Sequence, residues 1–336
     1  MIPHASLFLF LVLLACCVAS TAAGGENFRA EFPSLAVEVA RVEPGVYRFK
    51  VEPLEPGSST PATEQEGAGV RIRDGWLEVM SPDAPDGPPL WRGRLSAMNA
   101  YGRANVPGTR LEWEAPPGEV LYGLGQRFGG LNVAGKIVDM WIRDVPGQGE
   151  ASYYCTPVLF SSAGYALFAA DNPEGAFALN PLGQGLNRYD RGGQEWTFFL
   201  AFAPTLKDLV RKRAAVQGPF RGVPDWAWGP WISRNSYENQ GEAEEAIRGM
   251  LDRGFPVAAI VLEAWKGRYE TGEFNRFAHG GWNVKEYFDF CRRRGIRNVL
   301  WQVPVIPPSH PGIQDLAAAG MFVRKPDGSV SWRREW

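Results

Sequence analysis

The chain has 336 residues, 45% of them hydrophobic and 21% charged, which is enough apolar material for two domains with separate cores and excludes a largely disordered chain. Its formal net charge is −2 with acids and bases interspersed, so no basic stripe exists to neutralise phosphates, and nucleic acid is excluded as an expected partner. Thirteen tryptophans is a high count. Indole rings stack on the apolar faces of sugars, but most of these rings are expected to be core packing.

Residues 1–23 contain an uncharged apolar run from Leu7 to Val18, followed by Ala19, Ser20, Thr21, Ala22 and Ala23, the pattern of a signal peptide. The run is shorter than the roughly 20 residues that a membrane span needs, and no other stretch reaches that length. Secretion or delivery to the periplasm is the first expectation. Leu14-Ala15-Cys16 also resembles a lipoprotein cleavage box, so a lipid anchor at Cys16 is the alternative. Cys16 and Cys17 belong to this leader, which leaves Cys155 and Cys291 far apart in different predicted domains. No disulfide framework is expected.

Residues 24–220 read as a β-sandwich. Short extended runs at 35–42, 46–51, 70–72, 76–80, 158–160, 165–169 and 196–202 alternate with turns rich in Gly, Pro and Asp. Helical periodicity is confined to 206–214, and residues 53–67, rich in Pro, Ser, Glu and Gly, predict an exposed loop.

From 221 to 336 the grammar changes to strand, helix, strand, helix, strand. An amphipathic helix is predicted over 239–253, with Ala243, Ile247, Met250 and Leu251 on its apolar face and Gly254 closing it. The apolar run 257–262 has the length and composition of a strand covered on both faces. Asn283, with Glu286 three residues on, predicts a capped helix whose stripe is Val284, Tyr287, Phe288 and Cys291 and whose end is Gly295; a third strand over 297–303 follows. Units repeating in this way suit a (β/α)8 barrel or a doubly wound sheet.

The histidines are three, one of them His4 in the leader, and no HExxH or CxxC is present, so no metal is expected and no other cofactor either. The glycines at 123, 125 and 129 are wrongly spaced for a dinucleotide loop and read as a strand turn. No GxSxG elbow occurs, and Ser161-Ser162-Ala163-Gly164 reads as a turn between strands. Barrel enzymes build their sites at the C-terminal ends of strands. Those positions are predicted to carry Trp231 and Ser233 on the first strand, Glu263 and Trp265 on the second, and Trp301 and Gln302 on the third. Carboxylate, indole and amide together suit the hydroxyl edges and apolar face of a sugar, while rim packing and a salt-bridged strand end are the bland alternatives.

Leu121-Tyr122-Gly123-Leu124-Gly125-Gln126-Arg127-Phe128 resembles the sandwich motif of glycoside hydrolase family 31, and residues 154–168 resemble the segment that follows it there. Pro224-Asp225-Trp226-Ala227-Trp228-Gly229, Ile260-Val261-Leu262-Glu263-Ala264-Trp265 and Leu300-Trp301-Gln302-Val303-Pro304 resemble the start of that family's barrel. The resemblance implies a galactose-mutarotase-like sandwich followed by the first three βα units of a (β/α)8 TIM barrel. It implies a retaining α-glycosidase that hydrolyses O-glycosyl bonds of α-glucosides or α-xylosides, with an oligosaccharide or glycoside as its partner. Glu263, where many relatives carry Asp, would bind sugar hydroxyls. Arg143 and Asp144, in the Trp141-Ile142-Arg143-Asp144 stretch, align with a loop that narrows the pocket; a surface ion pair is the alternative for both. The family's nucleophilic and acid/base aspartates follow the fourth strand, and a whole barrel needs ~250 residues. Both are therefore expected beyond Trp336, and the chain alone is expected to be inactive. The alternative reading is a non-catalytic carbohydrate-binding or structural module.

Overall fold

The computed structural model describes residues 27–54, 64–143, 152–218, 221–234, 237, 239–262, 282–301, 312–325 and 327–331. The predicted leader, with Cys16, lies outside them. The chain divides into two compact units, Met1–Phe220 and Arg221–Trp336.

In the first unit the strands are β1 (Asn27–Phe32), β2 (Leu35–Glu43), β3 (Val46–Pro53), β4 (Glu64–Gly67), β5 (Val70–Arg73), β6 (Trp76–Val79), β7 (Trp91–Tyr101), β8 (Val106–Glu114), β9 (Leu121–Gly123), β10 (Ile137–Asp139), β11 (Val158–Ser161), β12 (Tyr165–Ala169), β13 (Gly175–Leu179), β14 (Leu186–Gly192) and β15 (Trp196–Phe202), followed by helix α1 (Leu206–Gln217). Among the described residues they form two antiparallel sheets, ordered β1-β2-β3-β15-β12-β11-β9 and β10-β13-β14-β8-β7-β6-β5-β4. Side-chain alternation explains the pairing. On β8, Thr109, Leu111 and Trp113 are buried while Arg110, Glu112 and Glu114 face outward. A register slip of one residue would drive those charges into the core. On the outer face they meet cross-strand partners instead: Arg92 with Glu114, Arg94 with Glu112, and Arg110 with Asp190.

Between the sheets lies an aromatic core. Phe49 stacks on Phe198, Phe198 on Trp196, and Phe177 on Tyr189, with Trp113 edge-on to Phe177. Along β12 all five residues are buried, because α1 covers the outer face of that part of the sheet and seats Leu209 among Val46, Phe168 and Phe199. The apolar run at 165–169 therefore has no alternation to read.

Two expectations are corrected here. Residues 53–67 are not one loop: β3 extends to Pro53, and Glu64–Gly67 form an edge strand paired with β5, residues 55–63 lying outside the described set. An edge strand is held by backbone hydrogen bonds on one side and needs no apolar side chains, so composition hides it. Helix α1 also runs to Gln217, three residues past the predicted end, and stops where Gly218 takes φ 95°.

The second unit contains a 3-10 turn (Asp225–Trp228), β16 (Trp231–Arg234), α2 (Gln240–Leu251), β17 (Ala259–Leu262), α3 (Val284–Arg293), β18 (Arg297–Leu300) and α4 (Ile313–Ala318). The three strands form a parallel sheet ordered β16-β17-β18. Asn239 caps α2 by accepting the Glu242 N–H, and Asn283 caps α3 by accepting the Glu286 N–H, satisfying donors that a helix start leaves open. Ala243 and Ile247 of α2 pack with Ile260 and Leu262 of β17 and with Tyr287, Phe290 and Cys291 of α3. Phe290 belongs to the core, although the predicted stripe omitted it, and Leu251 is 37% exposed although the predicted face included it. Both errors come from extending a 3.6-residue period without knowing how far the neighbouring surface reaches. Cys155 and Cys291 are free, buried thiols in separate units. Among the described residues no helix is long and apolar enough to cross a membrane.

Buried phenols make the fold alkali-sensitive. Burial, followed by the neighbouring carboxylates Asp190, Glu174 and Asp139, pushes Tyr101 up to about 12, and burial raises Tyr165 and Tyr189 as well. Unfolded tyrosines ionise near ~10, so above that pH the unfolded chain holds fewer protons than the folded one, and stability falls as pH rises. The denaturant midpoint of the purified protein is expected to drop between about pH 9 and about pH 11, and replacing buried Tyr189 with Phe should flatten that drop.

Candidate functional site

The parallel register places the C-terminal ends of the three strands side by side: Arg234 is paired with Leu262, and Leu262 with Leu300. Trp301 follows directly, its backbone N–H donating to the Leu262 carbonyl at 3.1 Å, with the indole 40% exposed. Glu263 and Trp265, which follow Leu262, and Gln302, which follows Trp301, lie outside the described residues.

Trp231 is elsewhere. It opens β16 and pairs with Ala259 at the start of β17, so it occupies the N-terminal edge of the sheet and not the predicted C-terminal one. At about 3.3 Å per residue, the strand separates the two ends by roughly 10 Å. Its ring stacks on Trp226 of the 3-10 turn at 5.6 Å. Gly229-Pro230 directly before Trp231 is the break signal that marks this strand's beginning. Arg234 holds the C-terminal position instead, paired to Glu242 at 2.8 Å with its guanidinium 4.9 Å from the Tyr237 ring. The available signal was the polar Ser233-Arg234-Asn235 that ends the apolar run.

In the sandwich, Arg143 sits on the segment that follows β10. Its guanidinium donates to Asp139 at 2.6 Å, and Asp139 also accepts the Trp141 N–H at 2.9 Å. The Arg143 N–H reaches the Ser152 carbonyl, and Arg103 lies over the Trp141 ring. Arg143 is thus in a surface ion pair, with Asp139 as its partner; Asp144 lies outside the described residues. The two side chains are 42% and 45% exposed, so the pair is worth about 0–1 kcal/mol and can be exchanged for a ligand at little cost.

What holds this segment is the 121–128 motif. Gly123, Leu124 and Gly125 all have positive φ, and a Cβ on Gly125 would stand 1.8 Å from the Tyr154 carbonyl oxygen. That close approach lets the Gln126 N–H donate to Tyr154 O and the Ser152 hydroxyl donate to Gln126 O. Arg127 completes the tie by donating to the carbonyl of Asp139 at 2.8 Å and to the Cys155 sulfur at 3.4 Å. The motif therefore builds a scaffold that orients 139–143.

Two family models match this chain: the glycosyl hydrolase 31 N-terminal galactose mutarotase-like domain over residues 37–176, and the glycosyl hydrolases family 31 TIM-barrel domain over residues 221–336. The chain belongs to glycoside hydrolase family 31. It comprises the family's mutarotase-like sandwich and the start of its TIM-barrel domain. An α-xylosidase of Emericella nidulans is 26% identical over 227 residues, covering 66% of this chain and 29% of that protein. An isomaltosyltransferase of Sporosarcina globispora is 25% identical over 217 residues, covering 57% and 20%. Among solved structures, a family 31 α-xylosidase from a soil metagenome, complexed with xylose, superposes with a TM-score of 0.68 at 16% identity, covering 89% of this chain and 49% of that one. A Flavobacterium johnsoniae dextranase mutant complexed with isomaltotriose gives 0.66 at 17% identity, covering 93% and 43%. The chain thus spans less than a third of these curated relatives and under half of these structures.

The scaffold and the ion pair make opposite predictions for stability. Gly125→Ala is expected to destabilise the sandwich by ~2 kcal/mol or more, because a backbone carbonyl must move and the φ is unsuited to alanine. Arg143→Ala should change it by less than about 1 kcal/mol. Urea unfolding of the two variants checks both.

Proposed function

We propose that this chain supplies the sandwich and the first barrel strands of a retaining α-glycosidase that cleaves terminal α-linked glucose or xylose from oligosaccharides. The observation that carries the reading is the family-31 barrel region whose parallel strands end in register, with exposed Trp301 at the shared edge and positions 263 and 302 adjoining it. Xylose and isomaltotriose bound in structures of the same fold support a sugar as the ligand.

In this reading Glu263 accepts paired hydroxyls of the sugar, Trp265 and Trp301 cover its apolar face, and Gln302 bonds a further hydroxyl. Arg143 and Asp144 contact the substrate from the sandwich, Arg143 by exchanging Asp139 for the ligand. Retaining hydrolysis requires two carboxyl groups about 5 Å apart, one to attack the anomeric carbon and one to protonate the leaving oxygen. Three described acids of the barrel unit are already engaged by cations. Glu242 is bound to Arg234, Glu244 to Arg248, and Asp289 to Lys285 and Arg292, all using helix-surface carboxylates. The family resemblance assigns both roles to aspartates at the end of the fourth strand and later, and on that assignment the chain by itself is expected not to cleave glycosides. Export by the N-terminal leader belongs to the same proposal.

Purified chain incubated with p-nitrophenyl α-D-xyloside and α-D-glucoside is expected to release no more nitrophenol than a mock preparation. Turnover above that background would overturn the assignment of the catalytic pair. In a complete enzyme carrying this segment, Asp144→Ala should raise KM or lower kcat, and unchanged kinetics would remove Asp144 from the site.

A further inference from the structure

The hairpin that joins β7 to β8 meets the start of β13 beside the 139–143 segment, and two ties there fix the surroundings of Trp141. The Arg103 N–H donates to the Glu174 carboxylate at 2.9 Å, and the Met140 N–H donates to the Gly175 carbonyl at 2.9 Å. Adjacent residues at one strand start therefore hold both the hairpin tip and the segment. Val138 and Met140 are buried, which leaves Asp139 and Trp141 on the open side of the alternation. The Arg103 guanidinium lies 4.9 Å from the Trp141 ring centroid and 3.8 Å from Glu174. Asp139 accepts the Trp141 N–H and pairs with Arg143. Tyr101, at the end of β7, is raised by burial first and then by Asp190, Glu174 and Asp139, so its phenol is within electrostatic reach of the same carboxylates. The glycosidase reading uses Arg143 and gives Trp141 and Arg103 no role.

We propose that this corner of the sandwich is a subsite for a neutral sugar, with the Trp141 indole as its platform and Arg103 as the positioning residue that holds the ring. The indole is 40% exposed and the Arg103 side chain 55%, so a ligand can reach both. A flat ring suits the C–H face of a sugar. The guanidinium over it restricts the ring to one orientation, so little ordering remains to be done at binding. Around the platform stand two guanidinium–carboxylate pairs, Arg103 with Glu174 and Arg143 with Asp139. Each cation has its own carboxylate, so an anionic ligand would have to displace one. Vicinal hydroxyls need displace neither: they donate to the carboxylates and accept from the guanidinium groups. Exposed pairs of this kind are weak and rearrange at little cost. The choice of a sugar rests on the glycosidase reading, whereas the subsite itself is made by the sandwich alone.

Hydrogen exchange of the full chain tests it. The Met140, Trp141 and Arg143 N–H groups are all hydrogen-bonded, so peptides covering 137–143 report on this corner. Methyl α-D-xyloside and isomaltose at about 100 mM are expected to slow their exchange by up to about tenfold, as for a Kd near about 10 mM, and glucuronate is expected to have no effect. Trp141→Ala should abolish the slowing. Arg103→Ala should weaken it several-fold, and Arg103→Lys, which keeps a cation over the ring, should restore most of it. An arginine with only a structural role would change exchange without sugar and leave the ratio with and without sugar intact. Should Trp141→Ala fail to fold, Trp141→Leu keeps apolar bulk without the flat ring and serves the same purpose. A ratio unchanged in the Trp141 variant or in Arg103→Ala overturns the proposal, as does slowing by glucuronate that matches the neutral sugars. Absence of slowing at 137–143 also overturns it, whatever happens at 297–301. Slowing at 297–301 alone leaves the barrel reading standing, and slowing at 137–143 alone leaves this subsite standing, so the two fail separately.

Discussion

The sandwich depends on closing two broad sheets over aromatic rings without stranding their polar atoms. Trp113 on β8 and Tyr165 on β12 belong to opposite sheets and are almost fully buried, and the indole N–H donates to the tyrosine oxygen at 2.7 Å. An unmet indole or phenol at that depth costs about 1–3 kcal/mol, so the bond both satisfies the pair and fixes how the sheets face each other. Tyr165 in turn lies beside Glu119, whose charge, after burial, helps hold the phenol neutral. From this joint the β8–β9 loop and the start of the 121–128 motif take their positions.

Rigidity and exchangeability are separated by burial. The scaffold around Arg127 uses backbone carbonyls and closely approaching glycines, which resist substitution. The Arg143–Asp139 pair it carries is half-exposed, so solvent screens it and a ligand can compete for either partner. The same contrast holds across the sheet surface. Glu78 is nearly buried between Arg71 and Arg92, whereas Arg94 and Arg103 remain open and lie over indole rings. Binding residues on a stable frame are expected to come from the open set.

The barrel unit shows the other half of the division of labour. Its three strands contribute little beyond their ends, since β17 is apolar and largely buried while the residues in register at its C-terminal edge adjoin the sugar-binding candidates. Caps at Asn239 and Asn283 start the helices at defined residues, and that sets where each following strand begins. Side chains at the strand ends are thereby brought to a common edge, although they are far apart in sequence.

Sequence by itself determined the features whose causes are local: the turn at Ser161–Gly164, the asparagine cap at Asn283, the glycines that follow the two helices of the second unit at 254 and 295, and the family motifs. Each rests on a periodicity or a backbone preference that operates within a few residues. Tertiary structure decided what depends on a distant partner. It made Glu64–Gly67 a strand by giving it β5, brought Phe290 into the core and left Leu251 outside, placed Trp231 at the wrong end of its strand for the predicted site, and matched Arg143 with Asp139.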